Sequence, residues 1–258
     1  QFVIERKSHL LTAESLPENP VNIGEFFALL IAIQDYQGNS ISDLDQPVND
    51  AQEIRDTLLS EYTFNNENVI LLENPSRDSI INAFDQLART ITDHDNLFIF
   101  FAGHGYWDEQ FQQGYWLPSD AIQDSKSAWL SNSTIRDYIR GIQSKHTLLV
   151  SDACFSGGIF KTRSAFNEAP SAAQELYKLP SRKAMTSGTL TEVPDRSIFV
   201  SYFLKKLREN EDQFLSSGQL FLRFREAVIN NSPTRQIPQF GEIREAGDEG
   251  GDFIFVKK

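Results

Sequence analysis

Cysteine is almost missing from this chain: Cys154 stands alone among 258 residues. No intrachain disulfide can form, and no zinc site built on several cysteines exists. A lone thiol fits a reducing compartment. Long hydrophobic runs are missing too. The longest, Phe26 to Ile33, falls far short of the roughly 20 apolar residues a membrane helix needs. No basic start leads into an apolar segment, so neither a secretion signal nor a membrane anchor is expected, and the expected location is cytoplasmic. The chain opens on Gln, as a piece excised from a larger multidomain protein would. Positive charge is scarce: 24 Lys and Arg against 36 Asp and Glu, with no basic patch, which argues against nucleic acid as a partner. The net charge of −12 favours solubility and cationic partners. No internal repeat or low-complexity segment is found.

What is present suits one large α/β domain. The 20 phenylalanines supply a sizeable core, and short apolar runs alternate with amphipathic stretches. Phe26–Ile33 reads as a fully buried strand, followed by a helix over Gln46–Glu61 with Val48, Ala51, Ile54 and Leu58 on one face. Asn68–Leu72 is a second strand. Ser76–Ile91 is a second helix, capped by Ser76, with Ile80, Ala83, Phe84 and Leu87 inward. Asn96–Ala102 is a third strand, Tyr106–Leu130 a long polar and aromatic loop, Asn132–Gln143 a helix, and His146–Asp152 a fourth strand. Phe160–Pro180 reads as a linker with a helical turn at Ala172–Tyr177. A fifth strand at Lys183–Ser187, helices at Ser197–Glu209 and Gly218–Asn230, and a closing strand at Asp252–Lys257 complete the chain. This alternation predicts a mostly parallel sheet with helices on both faces.

In such a sheet, function gathers at the carboxyl ends of the strands. The third strand ends in FFAGHG, placing His104 just past it. The fourth ends in LVSDACFSGG, placing Cys154 just past it. If these strands are neighbours, about 4.8 Å apart, thiol and imidazole meet without any special loop. A thiol is mostly protonated at neutral pH, and a histidine within reach can take its proton or hold the thiolate. Cys154 would attack a carbonyl carbon and His104 would protonate the leaving amine. The backbone amides of Gly105 and Cys154 are the natural donors to the oxyanion. The bland alternatives are a histidine in a glycine turn and a cysteine acting as a small buried hydrophobe.

AGHG followed by DACFSGG resembles the caspase/metacaspase superfamily of cysteine peptidases, in particular its prokaryotic branch. ALLIAIQDY with PVNDAQEI, GYWLPSDA, SRKAMTSG, DRSIFVSYFLKKL and IPQF with DFIFV extend the resemblance from Phe26 to Val256. It implies an α/β fold: a caspase-like three-layer sandwich around a six-stranded, mostly parallel sheet, the last strand antiparallel and closed by IPQF with DFIFV. It divides the chain into an N-terminal extension (1–24) and a peptidase domain (25–258). The domain has a large-subunit-like part (25–160), a linker (160–180) and a small-subunit-like part (181–258).

The resemblance also implies specificity. Metacaspases hold Arg or Lys with acidic residues, and the matching positions here are Asp152 and Asp50. Paired carboxylates in a partly dry pocket would favour a guanidinium through charge-assisted bonds. Asp50 also reads as a first-turn helix acid. Pro47 and Ala102 replace a cysteine and a serine found in many relatives. The linker lies where relatives are cut during maturation, and it carries Lys161, Arg163 and Lys178. Some relatives need calcium. Asp108, Glu109, Asp120 and Asp124 offer oxygens in the loop after the histidine, but without EF-hand spacing, so no metal site is assigned and the chemistry needs no cofactor. The expected partners are protein or peptide substrates. The expected state is a monomer, with DFIFVKK as an apolar strand whose lysines blunt it as a pairing edge. Two rivals stand beside this reading: a catalytically silent caspase-like assembly module, and a cysteine hydrolase of small amides or esters. An open groove beside the fifth strand would favour the peptidase.

Overall fold

The computed structural model describes residues 23–38, 40–153, 159, 173–188, 197–234 and 236–258. Its elements run β1 (Phe26–Ala32), α1 (Pro47–Glu61), β2 (Val69–Glu73), α2 (Arg77–Thr90), β3 (Asn96–Ala102), β4 (Gly105–Asp108), β5 (Gln113–Trp116), β6 (Leu130–Ser131), α3 (Asn132–Gly141) and β7 (His146–Asp152). Beyond these come α4 (Ala173–Lys178), β8 (Ser181–Thr186), α5 (Ile198–Arg208), β9 (Phe214–Ser216), α6 (Ser217–Asn231), β10 (Gln239–Glu242) and β11 (Ile254–Val256).

The main sheet has six strands in the order β10-β8-β7-β3-β1-β2. Five are parallel, and β10 is antiparallel to β8. Strands β1, β3 and β7 are buried along their whole length, because helices cover both faces of the sheet. Alternate residues divide between two cores. Ala28, Leu30, Phe98, Phe100, Leu148, Val150 and Met185 face α1, α5 and α6, meeting Ile54, Phe203 and Phe224. Leu29, Ile31, Ile99, Phe101, Leu149 and Ala184 face α2 and α3, meeting Phe84 and Ile135. Ser76 caps α2 as its sequence predicts, accepting from the Ser79 N–H at 3.3 Å, and Ile80, Ala83, Phe84 and Leu87 turn inward.

Two expectations need correction. The sixth strand of the sheet is Gln239–Glu242, paired with β8, and not DFIFV. Ile254–Val256 instead pairs with β9, while Phe253 and Phe255 pack their rings against Phe98 at 6.4 and 6.0 Å, covering the sheet's face. Leu215 and Phe221 belong to the same buried cluster. DFIFVKK is therefore not the edge available to a second copy. The segment read as one loop between Tyr106 and Leu130 contains the antiparallel sheet β4-β5-β6, with Trp116 stacked on Phe101 at 4.1 Å. Along Lys183–Thr186 the pairing edge of β8, the fifth strand, is taken by β10.

The segments before and after the linker are tied together at many points. His146 to Ser151 pair with Ser181 to Thr186. Tyr177, on α4, donates to the Ile23 carbonyl and bonds to Asn96 at 3.2 Å. Its own carbonyl accepts from His146 Nε2 at 3.1 Å. The Lys258 N–H donates to the Glu61 carbonyl at 3.0 Å. A recognition site for a sequence-specific protease, inserted between residues 160 and 172, is thus expected to give two pieces that co-elute with unchanged far-ultraviolet circular dichroism. Pieces that separate under native conditions would show that these ties do not hold the fold.

Candidate active site

The loop after β1 folds over the carboxyl end of β3. Asn74, at φ 50°, accepts the N–H groups of Gln34 and Asp35 at 2.7 and 3.0 Å, which turns the chain outward at the end of β1. Asp43 then accepts the Tyr36 N–H at 2.8 Å. This brings Tyr36 over Gly103, where a Cβ would meet Ile33 Cβ and the Tyr36 hydroxyl oxygen, both at 3.2 Å; any larger residue crowds the turn. The buried Tyr36 hydroxyl accepts the backbone N–H of His104 at 2.8 Å, and the two rings lie 5.1 Å apart. Burial pushes the Tyr36 phenol well above its ordinary range, so it stays neutral at working pH.

Among the described residues, the half-buried imidazole of His104 has one short partner. Its Nε2 lies 2.8 Å from the Ser42 carbonyl oxygen. A carbonyl only accepts, so Nε2 carries a proton and Nδ1 is the nitrogen left over in the neutral tautomer. The ladder also orients Gly105. The Leu117 N–H donates to the His104 carbonyl at 3.0 Å, and Gly105 stands opposite Trp116. Bonded and non-bonded pairs alternate in an antiparallel ladder, so the Gly105 N–H points away from β5.

Strands β3 and β7 are paired residue for residue, from Asn96↔His146 to Ala102↔Asp152. His104 lies two residues past the end of that register on one strand, and Cys154 two residues past it on the other. Cys154 itself, with Lys161 and Arg163, falls outside the described residues. Asp152 is 6% exposed, and its Oδ1 has no hydrogen-bond partner among the described residues. Burial pushes its carboxyl up to about 6, against the opposing pull of the Ser187 and Ser197 hydroxyls. Period-two alternation puts Asp152 with Leu148 and Val150, on the face covered by α1 and α5. Asp50 is reached from the same face. It lines a cavity of about 480 Å3 between α1 and α5, together with Ser201, one turn after the Ser197 cap. Lys205 and Arg208 line the same cavity, and Asp152 is not part of its lining.

The other candidates do not join this site. Asp108 is ion-paired to Lys126, which holds its carboxyl below the usual range, and it also accepts the Phe111 N–H at 3.0 Å. Asp120 accepts the N–H of Arg77 at the start of α2, 2.9 Å away. Among the described residues no three His, Cys, Asp or Glu side chains gather as metal ligands. Lys178 lies in the last turn of α4. Tyr36, Ser42, Ser187 and Ser197 were not foreseen. Tyr36 stands inside ALLIAIQDY, and its single aromatic among polar residues was the one available signal. Ser42 acts through its backbone carbonyl, which side-chain identity does not reveal.

A sheet of this order, covered on both faces and carrying a histidine at the carboxyl end of a central strand, is the caspase-like sandwich. The chain belongs to the caspase-domain family, whose model matches residues 25–244, a family of cysteine peptidases. It is similar to metacaspase-6 of Arabidopsis thaliana, 24% identical over 196 residues, covering 70% of this chain and 52% of that protein. It is similar also to metacaspase-1 of Eremothecium gossypii, 33% identical over 86 residues, 30% of this chain and 19% of that one. The fold is shared with the Drosophila initiator caspase Dronc, at TM-score 0.60 and 12% identity over 90% of this chain and 83% of the other. Caspase-1 from Spodoptera frugiperda matches at TM-score 0.59 and 14% identity over 92% and 94%. No helix among the described residues is long and apolar enough to cross a membrane.

The raised carboxyl of Asp152 makes a stability prediction. The native state binds that proton more tightly than the unfolded chain, from the ordinary 3.8 up to about 6. Folding stability contributed by the protonated group is therefore complete below about pH 4 and lost as pH rises through about 6. Asp152→Asn removes the penalty and should raise stability at pH 8 by up to roughly 3 kcal/mol, at 1.36 kcal/mol per unit, with little change at pH 4. Denaturant midpoints at the two pH values measure it. A destabilised variant at pH 8 would mean that the ionised carboxylate is well satisfied.

Proposed function

We propose that this chain is a cysteine endopeptidase that cleaves protein substrates after Arg or Lys, acting as a monomer through Cys154 and His104. The observation that carries the reading is the β3–β7 register. Ala102 and Asp152 are the last paired residues, and the imidazole and the single thiol come after each at the same interval. The Ser42 carbonyl keeps the proton on Nε2, so Nδ1 takes the thiol proton. The thiolate attacks the scissile carbonyl carbon. The outward N–H of Gly105 and the amide of Cys154 receive the oxyanion. As the C–N bond breaks, His104 returns the proton to the leaving amine. Water, deprotonated by the same ring, then hydrolyses the thioester. No cofactor enters these steps.

Asp152 and Asp50 form the grip for the basic side chain. A buried carboxylate whose Oδ1 has no partner among the described residues, beside two serine hydroxyls, is an acceptor set that a guanidinium or ammonium completes. A buried carboxylate held at a cost to the fold is itself a mark of a working site. Self-cleavage belongs to the same proposal. Lys178 is in a helix whose Tyr177 is anchored to Ile23 and Asn96, whereas a scissile segment must be extended. We therefore place the cut after Lys161 or Arg163.

Fluorogenic peptides ending in Arg, Lys or Asp, with and without calcium, test the proposal. Cleavage is expected after Arg and Lys and not after Asp. Efficiency on the basic substrates should fall as pH drops through about 6, where Asp152 takes up its proton. Asp152→Ala should lower kcat/KM for Arg by roughly 10- to 100-fold, the worth of one charged hydrogen bond. Cleavage only after Asp, or none at all, would refute the reading.

A further inference from the structure

The hairpin that leaves His104 carries an aromatic surface that the proposed chemistry does not use. Tyr106 is 44% exposed and Phe111 66%, both large apolar side chains on the surface. They form one connected platform. The Tyr106 ring lies 4.9 Å from that of Trp129, which lies 5.6 Å from Tyr115. Lys126 sits over Tyr115 at 5.4 Å and over Phe111 at 4.7 Å. The Trp129 indole N–H donates to the Ile122 carbonyl at 3.0 Å, which fixes the buried ring. The charge of Lys126 is met by Asp108, so the surface offers ring faces rather than a free cation. Rigid aromatic rings already in place lose little entropy when they bind.

The position of the platform indicates what it would receive. Asp152 and Asp50 lie on the sheet face covered by α1 and α5, whereas Trp116, Trp129 and Leu130 belong to the core on the opposite face. His104 stands at the edge between them. The acyl half of a bound peptide is held at the two acids, and the amine that His104 protonates must leave on the other side. Tyr106 is two residues further along β4. A peptide advances about 3.4 Å per extended residue, so the first two residues after the scissile bond reach the same level.

We propose that the face formed by Tyr106 and Phe111, backed by the buried Trp129 ring, binds the leaving-group side of the peptide substrate and selects an aromatic or large aliphatic residue there. The inference rests on the peptidase reading above. It is tested with internally quenched peptides that share one sequence up to the scissile Arg and carry either Phe-Leu or Ser-Ser after it. The intact protein is expected to favour Phe-Leu in kcat/KM by about tenfold, mostly through KM, as a buried aromatic contact would supply. In Tyr106→Ala, and separately in Phe111→Ser, that ratio is expected to fall towards one. A ratio near one in the unaltered protein would overturn the inference and leave the peptidase reading standing. So would a ratio unchanged in both variants while their overall rates fall. Failure to cleave either peptide, or a fluorogenic Arg amide with nothing after the scissile bond, would overturn the peptidase reading and this inference with it.

Discussion

Everything proposed for this chain depends on the parallel pairing of β3 with β7. Seven residues of each strand are buried on both sides and matched without a bulge. A slip of one residue would exchange the two faces, driving Phe98 and Phe100 away from α5 and α6 and towards α2 and α3. Each fully buried side chain of this kind contributes roughly 1.5–3 kcal/mol, so the register is strongly specified. The carboxyl ends of the strands inherit that precision from the buried stretch behind them. Both strands stop at one level, Ala102 opposite Asp152.

Polar groups at that end sit in a less favourable setting than those at the other. His146 opens β7 with both ring nitrogens engaged, to Ser181 at 2.9 Å and to the Tyr177 carbonyl at 3.1 Å, and burial depresses its pKa to about 3. It is a satisfied core histidine. His104 closes β3 with one nitrogen bound to the Ser42 carbonyl, and Asp152 closes β7 with a carboxylate oxygen unmet. Among the described residues, the buried carboxylate at the end of β7 thus lacks the partners that the histidine at its start has.

Much of this was legible in the sequence. The strands at Phe26, Asn96 and His146 announce themselves because two-sided burial keeps their centres apolar, and α2 shows its inward face and its cap. The small sheet β4-β5-β6 was not legible. Its strands are four, four and two residues long, too short for alternation to appear, and they are rich in aromatics that fit loop or strand equally. The sixth sheet strand was caught only at IPQF, because QFGE follows Pro238 and contains Gly241, while DFIFV shows the stronger β pattern. That pattern reports burial, which β11 achieves on the face of the sheet and not at its edge. Asp152 could be matched by motif. Its burial, and the hydroxyls of Ser187 and Ser197 beside it, come from segments distant in sequence.

The central claim is that His104 and Cys154 act on each other. Cys154 is the only cysteine, so alkylation by iodoacetamide reports on one thiol. Its rate should be measured against pH in the unaltered protein and in His104→Ala. The pairing predicts a reactive thiolate well below the free-thiol value of about 8.5, and a return to about 8.5 or above once the imidazole is removed. The same pH profile in both proteins would contradict the account.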